Sequence, residues 1–348
     1  MCGIAGFYQS DQNYLSAGYH GTSPENPWRK RLIAMRQSLR SRGPNDENTL
    51  LFHHAGLAHT RLAIRDILGG KQPMSAQYRG RGASIVYNGE IYNTCELREE
   101  LKPFGMSWST TGDTEVILNG FLAMGTSFFE KLNGIFAFAI YVHQTKELYL
   151  VRDSLGVKPL FYSFDHTAVV FGSEPKALFA YGIHPAADRA CWNEIFSLGP
   201  ARTLGNGGFA GIHELLPGEY MHISASGCRH HFFRKLEAVP HHDSYTDTIR
   251  HVRFLLCDSI HRQMVSDIPI CSFLSGGLDS SLVTAICQMY LKKEDAALDT
   301  FSFDFKGNDV NFQANSFQSS QDRPFAELVA KHLGTHHTLL ECDNETQA

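Results

Sequence analysis

The chain has little that would tie it to a membrane, a nucleic acid or an oxidising compartment. It has no apolar run long enough to cross a bilayer, and no basic segment followed by a long apolar stretch at its N-terminus, as a secretory leader would have. A net charge of −5 over 348 residues gives no electrostatic case for nucleic acid or an anionic membrane surface. The eight cysteines contain no C-x-x-C pair, which argues against a disulfide framework or a zinc site. Reduced thiols and a cytoplasmic location are expected. Histidines are many, but adjacent pairs such as His53-His54 and His336-His337 read as surface or strand residues, not metal ligands. With repeats and low-complexity tracts also absent, the composition is that of an ordinary globular protein, and the length suggests two domains.

Against that background the first six residues, Met-Cys-Gly-Ile-Ala-Gly, stand out. A small residue after the initiator methionine favours its removal, which would leave Cys2 with a thiol and a free α-amine on one residue. The thiolate is the nucleophile, with an ordinary pKa of about 8.5. The amine, at about 7.7–8, can serve as a built-in general base.

Periodicity divides the chain in two. Ala83–Tyr87, Gly134–Tyr141, Glu147–Val151 and Ala168–Phe171 read as strands, and Trp28–Leu39, Glu96–Phe104 and Asp113–Met124 as helices. Asp11–Pro27 reads as a surface loop. The first half is therefore expected to form layered sheets flanked by helices. After a polar linker, Leu236–Asp243, comes a long amphipathic helix with Ile249, Val252, Leu256, Ile260 and Met264 on one side. Strands at Ile270–Leu274, Thr300–Phe303 and His337–Leu340 then alternate with helices at Ser280–Leu291 and Pro324–Leu333, which predicts a parallel α/β sheet. Three strands are few for such a sheet, so an exposed edge and apolar face are expected, with poor solubility or reliance on a partner.

Two sets of residues carry chemistry. Phe273-Leu-Ser-Gly-Gly-Leu-Asp-Ser-Ser281 lies between a predicted strand and a predicted helix. Gly276 and Gly277 let backbone N–H groups approach an anion, the helix N-terminus adds donors, and Ser275, Ser280 and Ser281 add hydroxyls. The lysine of the G-x-x-x-x-G-K-[ST] loop is missing. Ser-Gly-Gly-x-Asp-Ser is instead the pyrophosphate loop of enzymes that split ATP into AMP and pyrophosphate, with Asp279 a candidate to hold magnesium–pyrophosphate.

The other set suits glutamine hydrolysis. Arg61 offers a bidentate cation for an α-carboxylate and Asp113 a carboxylate for an α-ammonium. The Asn88 side-chain amide and the Gly89 N–H offer two donors for an oxyanion. Asn88-Gly89 alone would read as a hairpin turn, and glycine at 89 suits a turn that brings backbone against a ligand.

With these residues in hand, the chain resembles the glutamine-hydrolysing asparagine synthetases. Met-Cys-Gly-Ile-Ala-Gly, Arg42-Gly-Pro, Asn88-Gly-Glu-Ile-Tyr-Asn93, Arg152-Asp-Ser-Leu-Gly-Val-Lys-Pro-Leu160 and Ser-Gly-Gly-Leu-Asp-Ser-Ser carry the resemblance, which runs from Cys2 to about His337. It implies an N-terminal-nucleophile glutaminase domain over 2–236, a four-layer αββα sandwich. It implies a partial parallel-sheet ATP-pyrophosphatase domain over 243–348. Cys2 would be the nucleophile and Asn88 with Gly89 the oxyanion hole. Arg61, the backbone of Leu62 and Ile64, Glu90 and Asp113 would hold glutamine. Phe273, Leu274 and Phe303 would line the adenine and ribose site beside Ser275, Gly276, Gly277, Asp279 and Ser280. The expected ligands are glutamine, aspartate and ATP with Mg2+. No nucleic acid or membrane partner is expected, and a homodimer is an option.

Two departures stand against the family pattern. Asn45 replaces an aspartate after Arg-Gly-Pro, a mild change with Asp46 following. A second serine-glycine-glutamate segment and a later lysine, which the resemblance implies for the synthetase site, are also absent, and the chain is expected to be C-terminally incomplete. The leading reading is an amidotransferase-ligase. A stand-alone glutaminase and a non-catalytic glutamine- or nucleotide-binding module are the alternatives.

Overall fold

The computed structural model describes residues 1–15, 21–165, 167–199, 201–316 and 320–343. They form two compact units, Met1–Ala238 and Val239–Ala348.

In chain order the strands of the first unit are β1 (Gly3–Tyr8), β2 (Asp46–Leu51), β3 (Ala55–Arg61), β4 (Met74–Tyr78), β5 (Arg81–Ile91) and β6 (Gly134–Val142), followed by β7 (Glu147–Arg152), β8 (Phe161–Asp165), β9 (Ala168–Gly172), β10 (Ile212–Glu214), β11 (Glu219–Ser224) and β12 (Gly227–Phe232). They pair into two antiparallel sheets, ordered β10-β8-β9-β1-β3-β2 and β12-β11-β7-β6-β5-β4. The helices are α1 (Pro27–Ser38), α2 (Thr94–Leu101), α3 (Asp113–Met124), α4 (Pro175–Tyr181) and α5 (Arg189–Leu198). Three buried clusters define the layers. Phe7, Leu32, Met35 and Leu178 pack α1 and α4 on the first sheet. Ile4, Leu57, Val86, Leu150 and Phe171 fill the space between the sheets. Tyr87, Leu97, Val116, Phe121 and Phe138 pack α2 and α3 on the second. The unit is thus the αββα sandwich the resemblance implied.

Local chemistry explains the helix starts. The Asn26 side chain accepts from the N–H groups of Trp28 and Arg29, and Pro27 opens α1, where its missing N–H costs nothing. Asn26 also donates to the Tyr14 carbonyl, and both residues are buried. The segment expected as a surface loop is therefore anchored in the core by Tyr14, whose ring meets Phe7 edge-on at 4.9 Å; residues 16–20 lie outside the described residues.

The reading of residues 88–89 needs correction. Asn88 and Gly89 sit inside β5, opposite Ala137 and Phe136 of β6, and make no turn. A Cβ at Gly89 would press on the Ile135 carbonyl and lie 2.7 Å from Phe136 Cα. Glycine is required by the neighbouring strand.

The second unit has helices α6 (Tyr245–Gln263), α7 (Leu278–Leu291), α8 (Asn308–Asn311) and α9 (Arg323–Leu333) and strands β13 (Cys271–Phe273), β14 (Asp299–Phe305) and β15 (His336–Cys342). The strands pair in parallel, in that order. Ser244 caps α6, accepting from the Asp247 N–H at 3.2 Å. Among the described residues only Leu274, Ala326 and Ala330 form a fully buried apolar cluster here. The stripe of Ile249, Val252 and Leu256 on α6 is exposed beside Leu282 and Met289 of α7. No described helix is long and apolar enough to cross a membrane.

His59 of β3 is enclosed between the two sheets, 1% exposed, and burial pushes its pKa down to about 4. In the unfolded chain the same imidazole titrates near 6.5, so acid protonates the unfolded state first and the stability due to neutral His59 falls as pH drops from about 6.5 to 4. Comparing urea unfolding of the wild type and His59→Gln across pH 7.5–4 cancels every other titration. The difference should shift by roughly 3 kcal/mol in favour of the variant at the acid end; a difference independent of pH would mean that His59 is not held neutral.

Candidate active site

Cys2 stands at the mouth of β1, a central strand paired with β3 and β9. The pairing fixes a residue that would otherwise fray with the terminus. Arg42 Nε donates to the Cys2 carbonyl at 2.9 Å while its Nη1 bonds Glu174 at 2.7 Å. Cys2 Sγ lies 3.4 Å from the Leu62 N–H, which donates to it, and 3.6 Å from the Leu62 carbonyl. Burial pushes the thiol above its usual value, and the Leu62 N–H offsets this only in part. With Met1 attached, the Cys2 nitrogen is an amide and carries no base.

Cys2, Arg61, Leu62, Ile64, Gly89, Glu90 and Asp113 line one pocket. The strand geometry of β5 sets what faces it. His143 N–H donates to Gly82 O and Tyr92 N–H to Asn133 O, so even-numbered residues of β5 turn their backbone groups toward β6. Odd-numbered ones turn away, toward β4, but β4 pairs only as far as Ile85. Beyond it the Tyr87 N–H goes to Gln72 Oε1 at 2.6 Å and the Ile91 N–H to Asp113 Oδ2 at 3.0 Å. The Gly89 N–H between them has no acceptor among the described residues. Asn88 flanks the pocket, next to the lining residues Gly89 and Glu90 in β5. Val86 packs between the sheets, and alternation places the Asn88 side chain on that same side, facing the sheet that begins at Cys2. Its Nδ2 is buried and makes no hydrogen bond. A buried amide donor without a partner costs about 1–3 kcal/mol, which calls for a ligand at this position.

The charged groups are less free than their types suggested. Arg61 spends three of its N–H groups on the carbonyls of Arg65, Asp66 and Ile67 at 2.6–3.2 Å, leaving two of five for a ligand. Asp113 Oδ2 also accepts from the Tyr87 hydroxyl at 2.7 Å, so Oδ1 is the oxygen left over. Glu90 is 3.6 Å from Arg65, yet burial, with Asp113 nearby, lifts its pKa to about 7. Arg65 and Gln72 escaped notice in the sequence, and Tyr87 was read only as part of a strand and a motif, because their partners are distant along the chain and no local pattern marks them.

Two motif residues prove structural. Asp153 accepts the N–H groups of Phe136, Leu155, Val157 and Lys158 at 3.0–3.1 Å. Arg152 binds the carbonyls of Gly156, Lys158 and Leu215 and pairs with Glu214 at 2.9 Å. Together they fold the loop that carries Lys158, whose Nζ is 3.1 Å from Met1 Sδ. Asn45 Oδ1 accepts the Ala63 N–H at 3.0 Å. An aspartate would offer the same oxygen, so the expectation of a mild change rests on Asn45 itself and not on Asp46, which turns to the Glu47 N–H instead.

In the second unit Gly276 has φ +83°, a backbone that L side chains rarely adopt, and a Cβ there would lie 2.6 Å from the Ala326 N. Hydroxyls close the loop: Ser275 Oγ and Ser280 Oγ are 3.0 Å apart, and Ser275 Oγ accepts the Gly277 N–H at 3.4 Å. Gly277 is the N-cap of α7, with Asp279 in its first turn. Phe273, Leu274, Ser275 and Phe303 line one cavity with Phe301 and Arg323. Phe273 and Phe303 are exposed, whereas Leu274 is fully buried and its N–H bonds Phe301 O. Gly276, Gly277, Asp279 and Ser280 do not line that cavity; they flank it at the helix start.

Residues 1–234 match the glutamine amidotransferase domain family, and residues 251–348 match the asparagine synthase family. The chain belongs to the glutamine amidotransferases. It is 41% identical to asparagine synthetase [glutamine-hydrolyzing] 3 of Bacillus subtilis over 97% of this chain and 53% of that protein. To asparagine synthetase B [glutamine-hydrolyzing] of Escherichia coli it is 32% identical over 89% of this chain and 50% of that protein. The chain thus spans about half the length of these curated relatives.

In this amidotransferase Cys2 should be slow to react while Met1 remains. Iodoacetamide labelling followed by peptide mass spectrometry at pH 7.5 should modify Cys2 more slowly than the exposed Cys95, and Cys2 labelling should speed up as the pH is raised and its thiolate forms. Equal rates at pH 7.5 would show that burial does not restrain the thiol.

Proposed function

We propose that the first unit hydrolyses glutamine and that the protein passes the ammonia to an adenylated aspartate, forming asparagine, AMP and pyrophosphate. The observation that carries the reading is the pair of unpartnered donors, Asn88 Nδ2 and the Gly89 N–H, beside a strand-anchored Cys2. Removal of Met1 gives Cys2 its α-amine. The amine takes the thiol proton and Sγ attacks the side-chain carbonyl carbon of glutamine. The resulting oxyanion sits on Asn88 and Gly89, donors that are in place before charge develops. Collapse of this adduct breaks the C–N bond, the ammonium form of Cys2 returns its proton to the leaving nitrogen, and water cleaves the thioester to glutamate.

The two spare N–H groups of Arg61, with the backbone of Leu62 and Ile64, hold the α-carboxylate. Asp113 Oδ1 and Glu90 hold the α-ammonium. A neighbouring cation favours the charged form of Glu90, so ligand binding draws its pKa down from about 7.

In the second unit, the loop 275–281 suits the pyrophosphate of ATP, and Phe273 and Phe303 offer faces for the base and ribose. Among the described residues no group of three or more His, Cys, Asp or Glu could hold a metal. A lone Asp279 fits a magnesium that arrives on the nucleotide, whose remaining ligands are phosphate oxygens and water. The domain extents 2–236 and 243–348 go with this reading, and free thiols on all eight cysteines suit a reducing, cytosolic setting.

The test is to incubate the purified chain with glutamine, aspartate and Mg-ATP and to quantify glutamate and asparagine, after confirming by mass spectrometry that Met1 is gone. Glutamate should form and vanish in Cys2→Ala. Glutamate that persists in Cys2→Ala would sink the proposal, and glutamate without asparagine would leave a stand-alone glutaminase. Asn88→Ala should lower kcat for hydrolysis by about 10²–10³ with little change in KM.

A further inference from the structure

Tyr87 is the residue that leads into the donor pair, and it is held at three points. Its N–H goes to Gln72 and its hydroxyl to Asp113, as described above. Its carbonyl, which points past the end of β4 and so has no ladder partner, meets His59 Nε2 at 3.2 Å. That bond crosses from the first sheet to the second. It falls on the peptide group joining Tyr87 to Asn88, one residue before the Gly89 N–H. His59 itself pairs with Ile4 of β1, two residues from Cys2. One side chain thus links β3, the neighbour of the nucleophile's strand, to the strand of the oxyanion donors.

We infer that His59 is a positioning residue for glutamine hydrolysis, its Nε2–H fixing the Tyr87–Asn88 peptide so that Asn88 Nδ2 and the Gly89 N–H converge on the oxyanion. This rests on the hydrolysis proposed above. A carbonyl accepts only, so Nε2 carries the proton. Burial keeps the ring neutral, and the bond stays a neutral donor's throughout the working pH range. The Asn88 N–H end of that peptide is held by the β5–β6 ladder, but without His59 its carbonyl end has no partner. A tilt of that carbonyl shifts both donors with respect to the developing charge while leaving the groups that hold the α-carboxylate and α-ammonium in place. The loss therefore falls on turnover, not on binding.

The experiment compares wild type, His59→Met and His59→Gln, the last keeping an N–H at similar reach. Glutaminase kinetics are measured together with inhibition by a γ-aldehyde analogue of glutamine. Cys2 S–H adds across the C=O of this analogue, forming a C–S bond and an oxygen at the oxyanion position without a leaving group. His59→Met should lower kcat about 10–100-fold with KM within about threefold. It should weaken the aldehyde by a similar factor and leave inhibition by glutamate unchanged. His59→Gln should recover most of kcat. A His59→Met enzyme with wild-type kcat would overturn the inference, as would equal weakening of aldehyde and glutamate, which marks general collapse of the pocket. A wild type that makes no glutamate, or a Cys2→Ala that still does, overturns the hydrolysis reading and this inference with it. Should either His59 variant fail to fold, histidine 15N NMR of the wild type decides: a neutral ring protonated at Nε2 supports the bond, and protonation at Nδ1 refutes it.

Discussion

A short strand beside a long one governs the first unit. Because β4 stops pairing at Ile85 and β5 continues to Ile91, the last three odd-numbered residues of β5 present N–H groups to an edge with no neighbouring strand. Buried backbone donors must find acceptors, and here side chains supply them at Tyr87 and Ile91. The acceptors, Gln72 and Asp113, come from different parts of the chain, and recruiting them draws the loop before β4 and the start of α3 onto this edge. The one N–H they omit belongs to Gly89. A reactive cradle emerges from the ordinary need to satisfy a sheet edge, with one vacancy kept.

The opposite wall follows from how a chain terminus is secured. Ends of chains usually fray, but β1 is sandwiched between β3 and β9, and every residue from Gly3 to Tyr8 is buried. Gly6 tolerates no Cβ, since one would meet the Gly56 carbonyl and the Phe171 ring. The nucleophile is therefore held by a rigid element whose flexibility ends one residue after it.

The part of the architecture that was legible has local signals. Apolar runs marked β5, β6, β7 and β9, the Trp28–Leu39 stripe marked α1 although Asn26 and Pro27 were assigned to the preceding loop, and strand–helix alternation after residue 243 marked the parallel sheet. The glutamine-pocket residues were readable as types at motif spacing, and the pocket does gather Cys2, Arg61, Glu90 and Asp113. Their states were not readable. That Arg61 is largely committed to loop carbonyls depends on how residues 62–70 curl back. That Gly89 is demanded by Phe136, and not by a turn, depends on register with a strand more than 40 residues away. Asn45 looked like a lost carboxylate; only the position of the Ala63 N–H shows that the retained oxygen is what matters. In the second unit the loop was legible, but the reason for Gly276 lies in the close approach of α9.

The orphan amide of Asn88 has a consequence for how such a protein drifts. An unfilled donor in a dry interior is a standing debit against the fold, of about 1–3 kcal/mol. An apolar side chain of similar shape at this position would relieve it, whereas replacing Cys2 relieves nothing comparable. A descendant released from hydrolysing glutamine would therefore lose Asn88 sooner than Cys2, and would be the sturdier for it. Screening for heat resistance alone would push a laboratory lineage the same way, which makes retained hydrolysis the necessary counter-selection.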